Sequence, residues 1–346
     1  MNLPLPQVSL HPFLTAVTNP FSRARDFLHL PGTPEKPKVD KNRMKIIPYD
    51  QGKLIVIWFP TPKNVSYLKR HYSFHPTHLD DVISLIQRPK IDFDPDYIFF
   101  VLHFPEYNEE SKKIESKEVD FFLTKNDVIM ISNHDFPSFD NLIDTITKKR
   151  KNKQTYFSQG PGFLLYRSID KLVDTIFPLV EQVEKALEVI DTDVFTKKPR
   201  IVAKQISFLR RNVTYFQTIM KPQVNSFMYL LETRHTLVDK ELRTYFTNIS
   251  DHMRKIWDRI EDVNELSDNL SRTFESYLSF KTNETIKVLT IFSATLLPLT
   301  FITNIYGMNL YFLPFAQHPD ALFLIGSIMF AIAASMLAVF RWRGWI

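Results

Sequence analysis

The sequence predicts an α+β membrane protein: a cytosolic α/β domain, a helical region built on one long stalk helix, and a two-helix transmembrane hairpin. Three observations carry that reading. Of the 22 prolines, 16 precede Gly162, so the first part of the chain is rich in turns. No glycine occurs from Leu164 to Tyr306, and only Pro178, Pro199, Pro222 and Pro298 stand there to interrupt a helix. Two runs without a formal charge then follow, Val288–Ile305 with 18 residues and Ala321–Phe340 with 20. Each matches the roughly 20 residues that cross a bilayer core as helix.

Residues 1–40 are proline-rich and lack hydrophobic periodicity, which predicts a disordered N-terminal tail. Pro4, Pro6, Pro12 and Pro20 break its apolar stretches, so no secretory signal is expected. Residues 41–160 carry short runs rich in Val, Ile, Phe and Tyr, bounded by Pro, Asn and Asp. Lys45–Pro48, Leu54–Phe59, Tyr97–Phe104, Val119–Leu123 and Val128–Ile131 therefore read as strands. Leu79–Gln87 and Ser138–Arg150 suit short helices between them, and this alternation predicts the α/β domain.

From 161 to 285 the pattern is helical. In Phe163–Asp193 the apolar Leu172, Ile176, Leu179, Val183 and Leu187 recur at helical spacing. Glu181, Glu184, Glu188, Asp191 and Asp193 are expected on the outer face. A second helix is predicted from Pro199 to Met220 and a third after Pro222. Within the third, Ile249, Met253, Ile256, Ile260, Val263, Ser267, Leu270, Phe274 and Tyr277 step alternately by 4 and 3. That is a heptad seam, apolar except for Ser267. It fits a helix packed in its own chain's bundle as well as one packed on copies of itself.

Composition excludes several functions. The 346 residues contain no cysteine, which removes disulfides, thiolate zinc sites and a cysteine nucleophile. The net charge of +5 is too mild and dispersed to argue for nucleic acid. No P-loop, nucleophile elbow or HExxH pattern occurs, so neither ATP-driven transport nor an enzyme activity has support. His71, His75 and His78 have helix-like metal spacing, but Pro76 interrupts it, and packing or solvated-loop roles are expected. The basic run Lys148–Lys153 reads as a solvated surface.

The uncharged runs place membrane helices at 286–305 and 321–340, joined by a loop at 306–320 whose only formal charge is Asp320. Lys281 and Lys287 precede the first, while Arg341 and Arg343 follow the second. The positive-inside rule then puts both chain ends, with the basic tail 341–346, in the cytoplasm. Two helices cannot enclose a pore. Beyond Tyr277, however, the 3-and-4 step returns as Asn283, Ile286, Thr290, Ser293, Leu297, Thr300 and Asn304, and five of these seven are polar. Polar groups in hydrocarbon must be paired or wetted. Back-bonded hydroxyls and helix–helix adhesion are one explanation. Several copies lining an aqueous channel about a symmetry axis are the other. The period shared by seam and stripe favours one helix, Leu237 to Ile305, surrounding a single axis. Its 69 residues would span roughly 100 Å.

Next come Tyr306-Gly307-Met308-Asn309. With Thr282-Asn283-Glu284, Lys287-Val288-Leu289-Thr290, Pro298-Leu299-Thr300 and Arg343-Gly344-Trp345-Ile346, they resemble the CorA family of divalent-cation channels. Upstream, His75-Pro76, Leu79-Asp80-Asp81-Val82, Gln87-Arg88-Pro89-Lys90, Val101-Leu102-His103-Phe104-Pro105 and Gly160-Pro161 are similar to that family's N-terminal domain. The resemblance covers about 41–346. It implies a funnel-shaped homopentamer in the cell (inner) membrane, with an acidic helical pair flanking the stalk and five first membrane helices around the pore. It also implies Mg2+ as cargo and regulator, Co2+ and Ni2+ as further cargo, the lipid bilayer as partner, and no covalently bound cofactor.

The resemblance makes Tyr306, Gly307, Met308 and Asn309 the selectivity filter, and the chemistry agrees. Mg2+ prefers octahedral oxygen and sheds water reluctantly. A ring of Asn309 carbonyls would accept hydrogen bonds from the hydration shell and, being neutral, would release the ion again. Gly307 is expected to let the backbone turn at the helix end. Asn283 would form a second amide ring at the cytosolic mouth. Ile286, Leu289 and Leu297 would close the pore as apolar collars, with Thr290, Ser293, Thr300 and Asn304 lining it.

Two departures from the family pattern matter. Leu310–Phe315 carries no acidic residue where the family's loop often does, which leaves room for Zn2+ or another divalent ion. The family's cytosolic Mg2+ sensor implies Asp81 and a stalk carboxylate facing each other across the subunit interface, but Asn248 stands where the stalk Asp often does, with Asp251 one turn on. A membrane-anchored coiled-coil scaffold or sensor without transport is the reading from another class.

Overall fold

The computed structural model describes residues 44–84, 87–148, 155–308 and 319–346. It divides into two compact units, the first ending at Leu270 and the second beginning at Ser271. The tail expected over 1–40, the basic run after Lys148, and the loop from Asn309 to His318 lie outside the described residues.

The first unit is built on a six-stranded sheet. Its strands are β1 (Met44–Tyr49), β2 (Gly52–Trp58), β3 (Lys90–Asp94), β4 (Tyr97–Asn108), β5 (Lys113–Thr124) and β6 (Val128–Ser132). They lie in the order β1-β2-β6-β5-β4-β3, and only β2 and β6 pair in parallel. The β1–β2 turn requires glycine, because a Cβ on Gly52 would meet the Asn126 carbonyl oxygen at 1.9 Å.

Alternation assigns the faces. Ile55 and Ile57, Tyr97, Phe99 and Val101, Phe122, and Ile129 and Ile131 form one buried cluster with Leu68, Phe74, Leu79 and Val82. The last group comes from α1 (Pro62–His71), α2 (Pro76–Ile83) and the link between them. Neither α1 nor β3 was anticipated. The signal for α1 lies in Thr61 and Asn64, which form a reciprocal capping box ahead of Pro62. Helix α2 ends at Ile83, short of Gln87, because the backbone is already extended at Ser84.

Helices cover the other face: α3 (Pro137–Lys148), α4 (Gly160–Asp174), α5 (Phe177–Asp193), α6 (Pro199–Glu232) and α7 (Lys240–Tyr306). The single helix expected over Phe163–Asp193 is two, because Pro178 is tolerated only in the first turn of α5. Conversely, Pro222 does not separate two helices; α6 runs through it. A proline inside a helix costs about 3 kcal/mol, but Met220, Val224, Phe227 and Leu230 are all buried along that stretch. Burying side chains of that size returns about 1.5–3 kcal/mol each.

The seam on α7 settles its own ambiguity in this unit. Ile249 through Leu270 are buried within the single chain, so the bundle of that chain covers them. Asp193, expected on the outer face of α5, is buried and bonded to Lys197 at 2.6 Å and to Gln205 at 3.0 Å. Glu184 remains on the flank, where both its oxygens accept from Arg259 of α7 at 2.8 and 2.6 Å.

Asp120 on β5 is 3% exposed. Burial first, then the Glu118 and Asp81 charges, hold its carboxyl well above the usual range. Its proton therefore stabilises the fold most below the ordinary carboxylate range, and that stability is lost as pH rises through the raised folded value. Asp120→Asn cannot ionise. Denaturant titrations from pH 4 to 8 are expected to show a falling stability for the parent chain and a flatter profile for the variant. Parallel profiles would refute the assignment.

Candidate ion pathway and cation-binding residues

In the second unit, the last part of α7 and α8 (Ala321–Trp342) are both long and apolar enough to cross a membrane. Each has one partly shielded stripe, Ile291, Ala294, Thr295, Pro298, Ile302 and Ile305 on α7 and Ala321, Ile325, Met329, Ile332, Met336 and Phe340 on α8. These steps of 3 and 4 are the faces the two helices turn to each other. Lys287 Nζ also donates to the Gly344 carbonyl at 3.2 Å.

This pairing corrects the expected continuity of seam and stripe. Residues that keep the seam's register are Ile291, Thr295, Pro298, Ile302 and Ile305, which belong to the shielded face. Ser293 stands two residues from Ile291, roughly 200° around the helix. The polar stripe therefore occupies the side opposite α8. All eight residues expected along the pore, Asn283, Ile286, Leu289, Thr290, Ser293, Leu297, Thr300 and Asn304, are exposed in the single chain. Thr290 and Thr300 return their hydroxyls to the Ile286 and Leu296 carbonyls at 2.8 and 2.9 Å. Asn283, Ser293 and Asn304 have no such bond among the described residues, so their polar atoms are open to water or another chain.

Tyr306 ends α7, followed by Gly307 and Met308. Gly307 continues the helical bonding, with its N–H 2.8 Å from the Thr303 carbonyl. Its φ is not in the left-handed region. A Cβ there would come within 3.2 Å of the Thr303 oxygen.

The residues expected to sense a cation would face each other across a subunit interface, and within the single chain each has its own surroundings. Asp81 Oδ2 is paired with Lys90 at 2.8 Å. Asn248 Nδ2 reaches the Tyr166 hydroxyl at 3.5 Å, and Asp251 is exposed. Beside them the fold gathers a different group: donor atoms of Asp170, Asp174 and His252 all lie within 4.8 Å of one another. Asp170 and Asp174 stand one turn apart on α4, and α7 supplies His252. Burial, then the Asp174 charge, raise the Asp170 carboxyl above its ordinary range. A bound cation would relieve both. The i,i+4 spacing of Asp170 and Asp174 was visible in the sequence; their meeting with His252 was not.

The histidines set aside earlier have separate duties. His71 Nδ1 contacts the Tyr67 carbonyl at 2.8 Å, His75 caps α2, and His78 lies 2.8 Å from the Tyr97 hydroxyl and 3.3 Å from Asp92.

The family described as CorA-like Mg2+ transporter protein matches residues 55–342, most of the chain. This chain belongs to that family. Among curated relatives, it is 31% identical over 275 residues to the cobalt/magnesium transport protein CorA of Thermotoga maritima, covering 80% of this chain and 78% of that one. The solved CorA magnesium transporter of Methanocaldococcus jannaschii shares the fold at a TM-score of 0.75 and 21% identity, covering 87% and 94% of the two chains. The ZntB cytoplasmic domain of Vibrio parahaemolyticus is more distant, at 0.52 and 14% identity over 67% of this chain and 89% of that one. The CorA-family chain described here is thus a multi-pass membrane transporter of divalent cations and not an enzyme, with a mixed α/β soluble domain and two apolar helices.

Proposed function

We propose that five copies of this chain form a funnel-shaped channel that conducts Mg2+, with Co2+ and Ni2+ as further cargo. One observation carries the reading: an otherwise apolar membrane helix keeps a polar stripe on the side opposite its only partner helix among the described residues, leading toward Asn309. A closed ring of such helices would pair or wet every polar group on that face. The Asn309 carbonyls would hold the hydrated ion, Asn283 would ring the cytosolic mouth, and Ile286, Leu289 and Leu297 would close the path by excluding water. Without an ATP motif the flow follows the membrane potential, about 2.3 kcal/mol per unit charge per 100 mV and about twice that for a divalent ion.

Proteoliposomes holding the purified chain are expected to accumulate Mg2+ under an inside-negative potential. Zn2+ flux without Mg2+ flux would favour the second reading, which the uncharged Leu310–Phe315 segment supports. Absence of either flux from an assembled oligomer would leave only an anchor or sensor.

Cytosolic Mg2+ regulation is assigned to Asp81, Asn248 and Asp251, reinforced by the Asp170–Asp174–His252 group. Bound Mg2+ would favour the closed state by its differential affinity. Asp170→Asn is expected to raise the Mg2+ concentration needed for protection from proteolysis by at least about tenfold. An unchanged protection curve would remove this group from the sensor.

A further inference from the structure

The first unit also carries a histidine–carboxylate pair that plays no part in the Asp170–Asp174–His252 group. His103 on β4 and Glu118 on β5 are directly opposed across the ladder. The Glu118 side chain is 5% exposed and that of His103 13%. His103 Nε2 lies 3.2 Å from Glu118 Oε2, yet it makes no hydrogen bond among the described residues. The two atoms stand within ion-pair distance, and Glu118 Oε2 also accepts the Gln87 N–H at 3.4 Å.

The imidazole is held from behind. Its Nδ1 is 2.7 Å from Ser116 Oγ. Pairing with β3 stops at Val101, which leaves the next part of the β4 edge open. The side-chain amide of Gln223 fills that gap. Its Oε1 accepts the His103 N–H at 2.9 Å and its Nε2 donates to the His103 carbonyl at 2.8 Å. Gln223 is itself 1% exposed. A cavity of about 550 Å³ opens onto the pair, with Arg88, His134 and Tyr215 on its wall.

We propose that this cavity binds a divalent transition-metal ion such as Co2+, Ni2+ or Zn2+, with His103 Nε2 and Glu118 Oε2 as its protein ligands. Three arguments agree. Metal–nitrogen and metal–oxygen bonds near 2.0–2.2 Å put neighbouring ligand atoms about 3–3.5 Å apart, the separation found here. A ligating imidazole is normally oriented through its other nitrogen, as Ser116 does for His103. An imidazole–carboxylate pair selects such ions over Mg2+, which prefers oxygen throughout. The ion would offset the Glu118 charge, which otherwise lies buried two residues from Asp120.

The test is Co2+ titration of the full chain in detergent with excess Mg2+, followed by visible and X-ray absorption. An Asp170→Asn, His252→Gln background silences the other cluster. One Co2+ per chain with imidazole nitrogen in its shell is expected to persist there and to vanish in His103→Gln and Glu118→Gln. Ser116→Ala keeps both ligands and is expected to weaken binding about tenfold to a hundredfold. Absence of an imidazole-bound ion in the background would overturn the site, as would an unchanged titration in folded His103→Gln. Should that variant fail to fold, unchanged affinity in Ser116→Ala overturns it instead.

Discussion

Asn309→Ala is expected to abolish Mg2+ uptake by proteoliposomes, lowering the initial rate at least about a hundredfold, equivalent to about 2.7 kcal/mol at the barrier. The methyl group cannot accept a hydrogen bond from the hydration shell, and Mg2+ gives up that shell reluctantly. In the proposed ring every neutral acceptor would disappear together, because symmetry repeats each change. The oligomer eluting from size exclusion should keep its size, since the change removes only one side-chain amide per chain. Normal flux through an assembled Asn309→Ala protein would remove this residue from the filter. Asn309→Asp sharpens the point: a ring of charges should bind the ion too tightly to release it, so flux falls while Mg2+ retention rises.

Phe246→Ala carries the largest expected cost in stability, about 3–5 kcal/mol. Phe246 is fully buried where three elements converge. Its ring meets Phe100 of the sheet at 6.1 Å and Phe227 of α6 at 6.4 Å, while its own backbone belongs to α7. Truncation leaves a cavity that none of these elements can close without moving another. Denaturant unfolding of the full chain, followed by hydrogen exchange in β4, would measure the loss. A change under about 1 kcal/mol would mean that the site collapses freely.

Locally coded features were legible from residue order alone. Alternation of Val, Ile and Phe marked five of six strands, and the uncharged runs marked both membrane helices. β3 escaped because five residues beginning Lys-Ile-Asp carry too little apolar pattern to stand out. For the candidate site, the polar stripe was readable because spacing on one helix determines which side chains share a face, while Tyr306–Asn309 was singled out by its resemblance to a family motif. The grouping of Asp170 and Asp174 with His252, or of His103 with Glu118, was not. Those residues are far apart in sequence, and only packing or strand register brings them together.

What the sequence by itself determined is therefore the kind of each element and the face it must hide. The tertiary structure alone decided what hides that face. A heptad seam is equally apolar against its own bundle or against a copy, and periodicity carries no record of the partner. Here the seam from Ile249 to Leu270 is buried by its own chain, and in sequence its steps lead on to the partly shielded Ile291, Thr295, Pro298, Ile302 and Ile305. The polar stripe is left on the opposite side. Pro222 follows the same logic: its local cost is read from the residue, but the burial that outweighs it exists only once α6 is packed.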